Sequence, residues 1–369
     1  MTVTAAHPRS INPRRARAVP LFGVLCGLLL ALAGCGERTD TVQRGYRGTA
    51  MLQLYDPGAV ASQAELNSVP EPEPKEEPEA DAPAIKDVFK NVQVLNDLSV
   101  LEFSRLMQAM STWVAPEEGC DFCHNPNKLD SDEKYTKIVA RRMLQMTRDI
   151  NTGWKNHVGD TGVTCWTCHR GQAVPSGDWF ARPAQAQAAN FIGNRHGQNQ
   201  AGVSTVVNSA LPNDPLSDYL VGDDAIRVQG TRPLAGANDH SIKRAESTYG
   251  LMLYMSNSLG VNCTYCHNTR ALARWDESTP QRATAWHGIR MVRDLNRGYL
   301  IPLKPQFPAN RLSAEGDGPK VGCETCHKGA FKPLYGAQML PDYPELAGVM
   351  PLPTAVQTAP RAPAAAASR

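Results

Sequence analysis

Cys120-Asp-Phe-Cys123-His124 is one of four copies of Cys-x-x-Cys-His in a chain of 369 residues. The others are Cys165-Trp-Thr-Cys168-His169, Cys263-Thr-Tyr-Cys266-His267 and Cys323-Glu-Thr-Cys326-His327. In this pentapeptide the two thiols can add to the two vinyl groups of one haem, and the histidine supplies a ring nitrogen to its iron. A thioredoxin-like redox pair uses Cys-x-x-Cys without needing the histidine. Structural zinc takes four Cys or His ligands per metal, and each pentapeptide offers three. Four intact copies therefore favour four covalently bound haem c groups, with His124, His169, His267 and His327 as proximal ligands.

The residues before the motifs repeat. Ser104-Arg-Leu-Met107-Gln-Ala-Met110-Ser111 precedes the first, and Tyr249-Gly-Leu-Met252-Leu-Tyr-Met255-Ser256 precedes the third. Arg142-Met143-Leu-Gln-Met146-Thr-Arg148-Asp149-Ile-Asn151 precedes the second, and His287-Gly288-Ile-Arg-Met291-Val-Arg293-Asp294-Leu-Asn296 the fourth. The unit is helix, motif, helix, motif, used twice. The expected fold is mainly α with much irregular chain, a multihaem cytochrome c built from two similar two-haem lobes. The 28 prolines and 29 glycines agree with short helices and long irregular stretches.

Outside the repeat the chain divides by composition. Residues 1–34 read as a cleaved lipoprotein signal peptide, with arginines followed by an apolar run over 19–33. The run ends in Leu32-Ala33-Gly34-Cys35, which resembles a bacterial lipoprotein box and makes Cys35 the expected lipid anchor. Residues 35–86 are the anchored N-terminal segment, ending in an acidic proline-rich stretch over 70–83 that should be extended and mobile. The first two-haem lobe is expected over 87–175, a connecting segment over 176–240 and the second lobe over 241–332. Residues 333–369 read mostly as a tail, with a disordered alanine-proline end. Of ten cysteines eight belong to the motifs, leaving Cys26 and Cys35. Removing the four leader arginines leaves 34 basic residues against 36 acidic ones. That balance argues against nucleic acid and fits a basic partner.

The sixth position of each iron separates electron transfer from chemistry on a bound substrate. Met107/Met110, Met143/Met146 and Met252/Met255 each place two thioethers nearly one helical turn apart, on one face. One of each pair can ligate iron; equally, all six can be core methionines. In the fourth helix, aligning Met291 with Met146 puts Gly288 where Met143 stands. That haem needs another ligand or stays open; outside the motifs and the leader the histidines are His157, His196, His240 and His287, of which His287 sits one residue from the vacated slot.

Residues 88–346 resemble the tetrahaem cytochrome subunit of purple-bacterial photosynthetic reaction centres. The resemblance rests on Gly119-Cys-Asp-Phe-Cys-His, Val139-Ala-Arg-Arg-Met-Leu-Gln-Met-Thr-Arg, Gly162-Val-Thr-Cys-Trp-Thr-Cys-His-Arg-Gly, Ser278-Thr-Pro-Gln-Arg, Ile289-Arg-Met-Val-Arg-Asp-Leu-Asn and Asp342-Tyr-Pro-Glu-Leu. It implies the pairs Met107/His124, Met143/His169 and Met252/His267, with His157 completing a bis-histidine fourth site at His327. It also implies an electron-transfer subunit, not an enzyme, on the periplasmic side of the photosynthetic membrane. Such a subunit re-reduces the bacteriochlorophyll pair of the reaction-centre core, with the third haem nearest the pigments. A soluble cytochrome c or a high-potential iron-sulfur protein would refill it. Arg282, Arg290 and Arg293 are candidates for tuning fields or propionate contacts, or for ordinary helix-stabilising roles. Two other functions compete: a multihaem reductase with a five-coordinate haem, and a lipid-anchored carrier serving respiration.

Overall fold

In a computed structural model, the structure describes residues 39–43, 52–75, 83–182, 211–212, 214–228 and 242–348. The expected leader, Cys26, the anchor Cys35, most of the connecting segment and the final residues 349–369 lie outside these. The described residues are mainly helical with much irregular chain. Their one sheet is an antiparallel hairpin of β1 (Asp40–Gln43) and β2 (Leu52–Tyr55). No helix among them is long and apolar enough to cross a membrane.

Seven helices carry the repeat and its N-terminal brace: α1 (Pro57–Leu66), α2 (Val100–Val114), α3 (Tyr135–Gly153), α4 (Cys165–His169), α5 (Ile242–Leu259), α6 (Pro280–Leu295) and α7 (Cys323–His327). A capping box starts α2: the Ser99 N–H donates to Glu102 Oε2 at 2.9 Å and the Glu102 N–H to Ser99 Oγ at 3.3 Å. Its Leu106, Ala109 and Trp113 form one buried stripe, while Met107 and Met110 are half-buried on the neighbouring face. Pro280 at the first turn of α6 has no amide to leave unpaired there.

Apolar side chains gather in two clusters. One joins α2 and Leu144 of α3 to Leu334, Met339, Tyr343 and Leu346. The other joins Ile150 to Trp179, Tyr219, Leu251, Val292, Leu295 and Val321. Residues 333–348, expected as the start of a tail, thus return to the core around α2. Tyr343 and Leu346 are 1% and 0% exposed, and burying such a side chain is worth about 1.5–3 kcal/mol. Short 3₁₀ turns shape this segment, so it has none of the periodicity that marks a helix or strand.

The N-terminal segment is also bound to the body. Asp56 caps α1 by accepting from the Gly58 N–H at 2.9 Å, and Asn67 ends it, 3% exposed. The Asn67 amide accepts from the Leu334 N–H at 3.1 Å, and the Trp166 indole donates to the Ser68 carbonyl at 2.9 Å. Farther on, the Glu73 N–H donates to the Tyr343 hydroxyl at 2.9 Å and Arg105 Nε to the Glu73 carbonyl at 3.0 Å. Within the expected spacer, Glu73 is thus tied to the body. An extended proline-rich chain keeps its amides and carbonyls free, and here the body uses them.

Two asparagines explain why the repeat carries Arg-Asp-x-Asn. Asn151 Nδ2 donates to the Val163 and Leu346 carbonyls, both at 2.9 Å, while its Oδ1 accepts from the Val163 N–H at 2.7 Å. Asn296 Nδ2 donates to the Leu220 and Val321 carbonyls at 3.0 and 2.9 Å, and its Oδ1 accepts from the Val321 N–H at 2.9 Å. Each amide ties the end of a long helix to the residue two before a motif cysteine. Both are buried, so losing either would leave main-chain groups unpaired.

Candidate haem sites

The four motifs take two local forms. Around the first and third the chain makes 3₁₀ turns, Gly119–Phe122 and Cys263–Tyr265. The His124 and His267 N–H groups donate to the Cys120 and Cys263 carbonyls, both at 2.9 Å. The second and fourth are the single α-turns α4 and α7. The Thr164 N–H donates to Thr167 Oγ1 at 3.0 Å, and the Gly322 N–H to Thr325 Oγ1 at 2.9 Å. Both end in a left-handed residue, Arg170 (φ 51°) or Lys328 (φ 45°), followed by a glycine at φ 77° or 78°. Those glycine amides donate to the Trp113 carbonyl of α2 (2.9 Å) and the Ser258 carbonyl of α5 (2.8 Å). Each helix that precedes a first or third motif thus holds the turn of the next one.

Every motif histidine is oriented by a main-chain carbonyl. Nδ1 lies 2.9 Å from the Leu129 carbonyl in His124, 2.8 Å from Gln172 in His169, 3.1 Å from Leu272 in His267 and 2.9 Å from Ala330 in His327. A carbonyl can only accept, so Nδ1 carries the proton and Nε2 keeps a free lone pair, the tautomer a metal ligand needs. The offset is five residues in the first and third motifs and three in the second and fourth. Burial pushes the imidazole pKa down in His169 and His267, and to about 4 in His327, which keeps these rings neutral.

His157 belongs to the same set. Its Nδ1 lies 3.0 Å from the Thr284 carbonyl of α6, and burial lowers its pKa too. The ring lies against Gly288, where a Cβ would stand 2.5 Å from Cε1 and 2.8 Å from Nδ1. The position that lacks methionine in the repeat is the one His157 occupies. Two imidazoles sharing one metal at about 2 Å per bond have ring centres roughly 6 Å apart. The centres of His157 and His327 are 6.1 Å apart. His287 instead lies edge-on to Trp286, ring centres 4.9 Å apart.

The sulfur-bearing residues fit the same reading. A cavity of about 1140 Å³ runs from the first motif to the second, past Met107, Met110, Cys120, Cys123, His124, Met143, Met146, Cys165, Cys168 and His169. Single-ligand sites span roughly 300–1,000 Å³, so this space has room for a large flat apolar group. Met252 and Met255 are half-buried on α5 against the second cluster. Burial pushes the Cys165 and Cys323 thiols up to about 12 and Cys266 to about 11, and raises Cys123. A redox or zinc thiol needs the opposite shift.

One feature opposes part of the expected attachment. The sulfurs of Cys168 and Cys326 meet, their Cα atoms 4.4 Å apart, so a disulfide there would compete with attachment. A sulfur bonded to a haem vinyl carbon has no valence left for a disulfide, so the two states exclude each other. In either state the second and fourth motifs lie back to back.

The three arginines have assigned partners. Arg282 lies over the Trp275 ring at 4.1 Å, Arg290 over Trp286 at 3.8 Å, and Arg293 Nε donates to the Tyr219 carbonyl at 3.0 Å. Sequence reasoning missed the five carbonyls that orient the histidines, because a main-chain acceptor has no residue-type signature.

The family model described as photosynthetic reaction centre cytochrome C subunit matches residues 36–347. A photosynthetic reaction center cytochrome c subunit of Rubrivivax gelatinosus is 51% identical over 88% of this chain and 87% of its own length. One from Thermochromatium tepidum is 45% identical over 91% of this chain and 82% of its own. One from Roseobacter denitrificans is 42% identical over 89% and 90%.

Proposed function

The chain belongs to the family of photosynthetic reaction centre cytochrome c subunits, and on that footing we propose that it is a tetrahaem electron relay. It re-reduces the photo-oxidised bacteriochlorophyll pair of the reaction-centre core and is itself reduced by a soluble periplasmic carrier, a small cytochrome c or a high-potential iron-sulfur protein. The observation that carries this reading is the common orientation of five histidines: each Nδ1 is held by a carbonyl, which frees Nε2.

When bound, haem c supplies a one-electron Fe(II)/Fe(III) couple. The protein would supply imidazole nitrogens from His124, His169, His267 and His327, each ring held by a carbonyl at Nδ1. Met107, Met143 and Met252 would each supply a second ligand to the iron of the first three haems, and His157 would do so for the fourth. With every position filled there is no open site for a small substrate, which favours a relay over a reductase. Thioether favours Fe(II) more than a second imidazole does, so the fourth haem has the lower potential in an otherwise similar setting. A body of two two-haem lobes is part of this reading; of the two apolar clusters, the one that holds Leu251 and Val292 of the second repeat also takes in Ile150 of α3.

Anchoring follows the same logic. Cys35, the proposed lipidated residue, precedes β1 by five residues, a reach of about 17 Å at roughly 3.4 Å per residue. β1 pairs with β2, and β2 packs against the turn Cys263–Tyr265. This tether keeps the third motif at the membrane end, which supports that haem as the one nearest the pigments.

Haem content and spin state test the site assignments. The purified protein is expected to contain four haems per chain, all low-spin, and to bind no carbon monoxide until denatured. Peptides carrying Cys168 and Cys326 are expected to retain haem, with no disulfide between them. Carbon monoxide binding to the native protein would favour a reductase. A Cys168–Cys326 cross-linked peptide would refute thioether attachment at those residues.

A further inference from the structure

Lys137 lies in the first turn of α3 and is 8% exposed, an unusual place for an ammonium group. Its Nζ donates to the Leu129 carbonyl at 2.8 Å and the Ser131 carbonyl at 2.9 Å, and lies 3.4 Å from Asp132 Oδ1. The Leu129 carbonyl is also the group that orients His124, with Nδ1 at 2.9 Å. One oxygen therefore serves the proximal imidazole of the first site and a buried cation.

The third site is built differently. Aligning Met146 with Met291 places Arg282 at the position of Lys137. Arg282 Nη1 donates to the Arg274 carbonyl at 2.9 Å and Ser278 Oγ at 2.8 Å, whereas His267 uses the Leu272 carbonyl. Sharing of the histidine's own acceptor is thus not a feature of the fold in general.

We propose that Lys137 is a positioning residue that raises the potential of the first haem through the Leu129 carbonyl. An imidazole becomes a stronger donor to iron as its Nδ1–H is held by a stronger acceptor. A cation on the same oxygen draws away electron density and weakens that acceptor, which favours Fe(II). The charge of Lys137 acts in the same direction through space, since it opposes the extra positive charge of Fe(III). Asp132 offsets part of this field, but it also pairs with Arg141 at 2.7 Å and is 39% exposed, so it is screened.

The inference rests on haem attachment at Cys120 and Cys123 and axial ligation by His124. Spectroelectrochemical titration of the complete holoprotein tests it. The first haem is identified as the component lost when Cys120 and Cys123 are both replaced by alanine. K137Q is expected to lower that midpoint and leave the other three, raising the oxidised-to-reduced ratio at a fixed potential about tenfold. K137R restores charge and donors, and the midpoint with them. D132N removes the opposing charge and moves the midpoint upward. A purely structural lysine would make K137Q and D132N shift the potential the same way or not at all, and either result overturns the proposal. If K137Q does not load haem, the sign of the D132N shift decides. Failure here leaves the relay reading standing, because that reading concerns which groups bind iron and not how one of them is polarised.

Discussion

Replacing His157 by methionine is expected to raise the midpoint potential of one haem, by on the order of 100 mV, and to leave the other three nearly in place. The expected size is a fraction of the roughly 0.8 V range that axial ligand choice spans. His157 has its Nδ1 on the Thr284 carbonyl and its ring centre 6.1 Å from that of His327. A thioether at that position donates less strongly to Fe(III) than imidazole does. Potentiometric titration with the α-band resolved into components checks it. Four unchanged midpoints would remove His157 from the fourth site and return His287 as the candidate.

Gly288→Ala is expected to disturb the same haem from the opposite side. Gly288 lies within α6, so on helix propensity alone alanine would stabilise the protein by about 1 kcal/mol. The added Cβ, however, would stand 2.5 Å from Cε1 and 3.1 Å from Nε2 of His157. Overpacking of this kind costs about 1–3 kcal/mol, which exceeds the propensity gain. Relief requires the imidazole to move away, so one haem should become partly high-spin and bind carbon monoxide. Pairing Gly288→Met with His157→Ala places a thioether where the other three helices have one and should restore a low-spin spectrum. A Gly288→Ala protein that stays wholly low-spin would show that the glycine serves helix packing alone.

These two residues also show what was legible in the sequence. Gly288 stood out because the other three helices have methionine there, and the family resemblance pointed to His157, from the other half of the chain, as the group that compensates. Residue type carried that information, as it did for the eight motif cysteines. The rest depends on main-chain groups. The Leu129, Gln172, Leu272, Ala330 and Thr284 carbonyls orient the histidines whatever side chains those residues have. Asn151 and Asn296 were visible as repeated letters, but their partners are amides and carbonyls at Val163 and Val321. The brace formed by α1 was not legible, since no residue of α1 is buried and it has no apolar stripe. Tyr343 and Leu346 were hidden in proline-punctuated turns. Their packing against α2 depends on contacts more than 200 residues away in sequence, including the edge-on Trp113–Tyr343 pair at 4.6 Å.

Flash excitation of native membranes tests the central claim most directly. If the chain refills the photo-oxidised bacteriochlorophyll pair, a single flash oxidises one of its haems as the pair is re-reduced, and the haem α-band bleaches with matching kinetics. Deleting the chain should remove the bleach and slow the re-reduction. If the pair recovers at the same rate in both membranes and no haem is oxidised after the flash, the protein is not its donor.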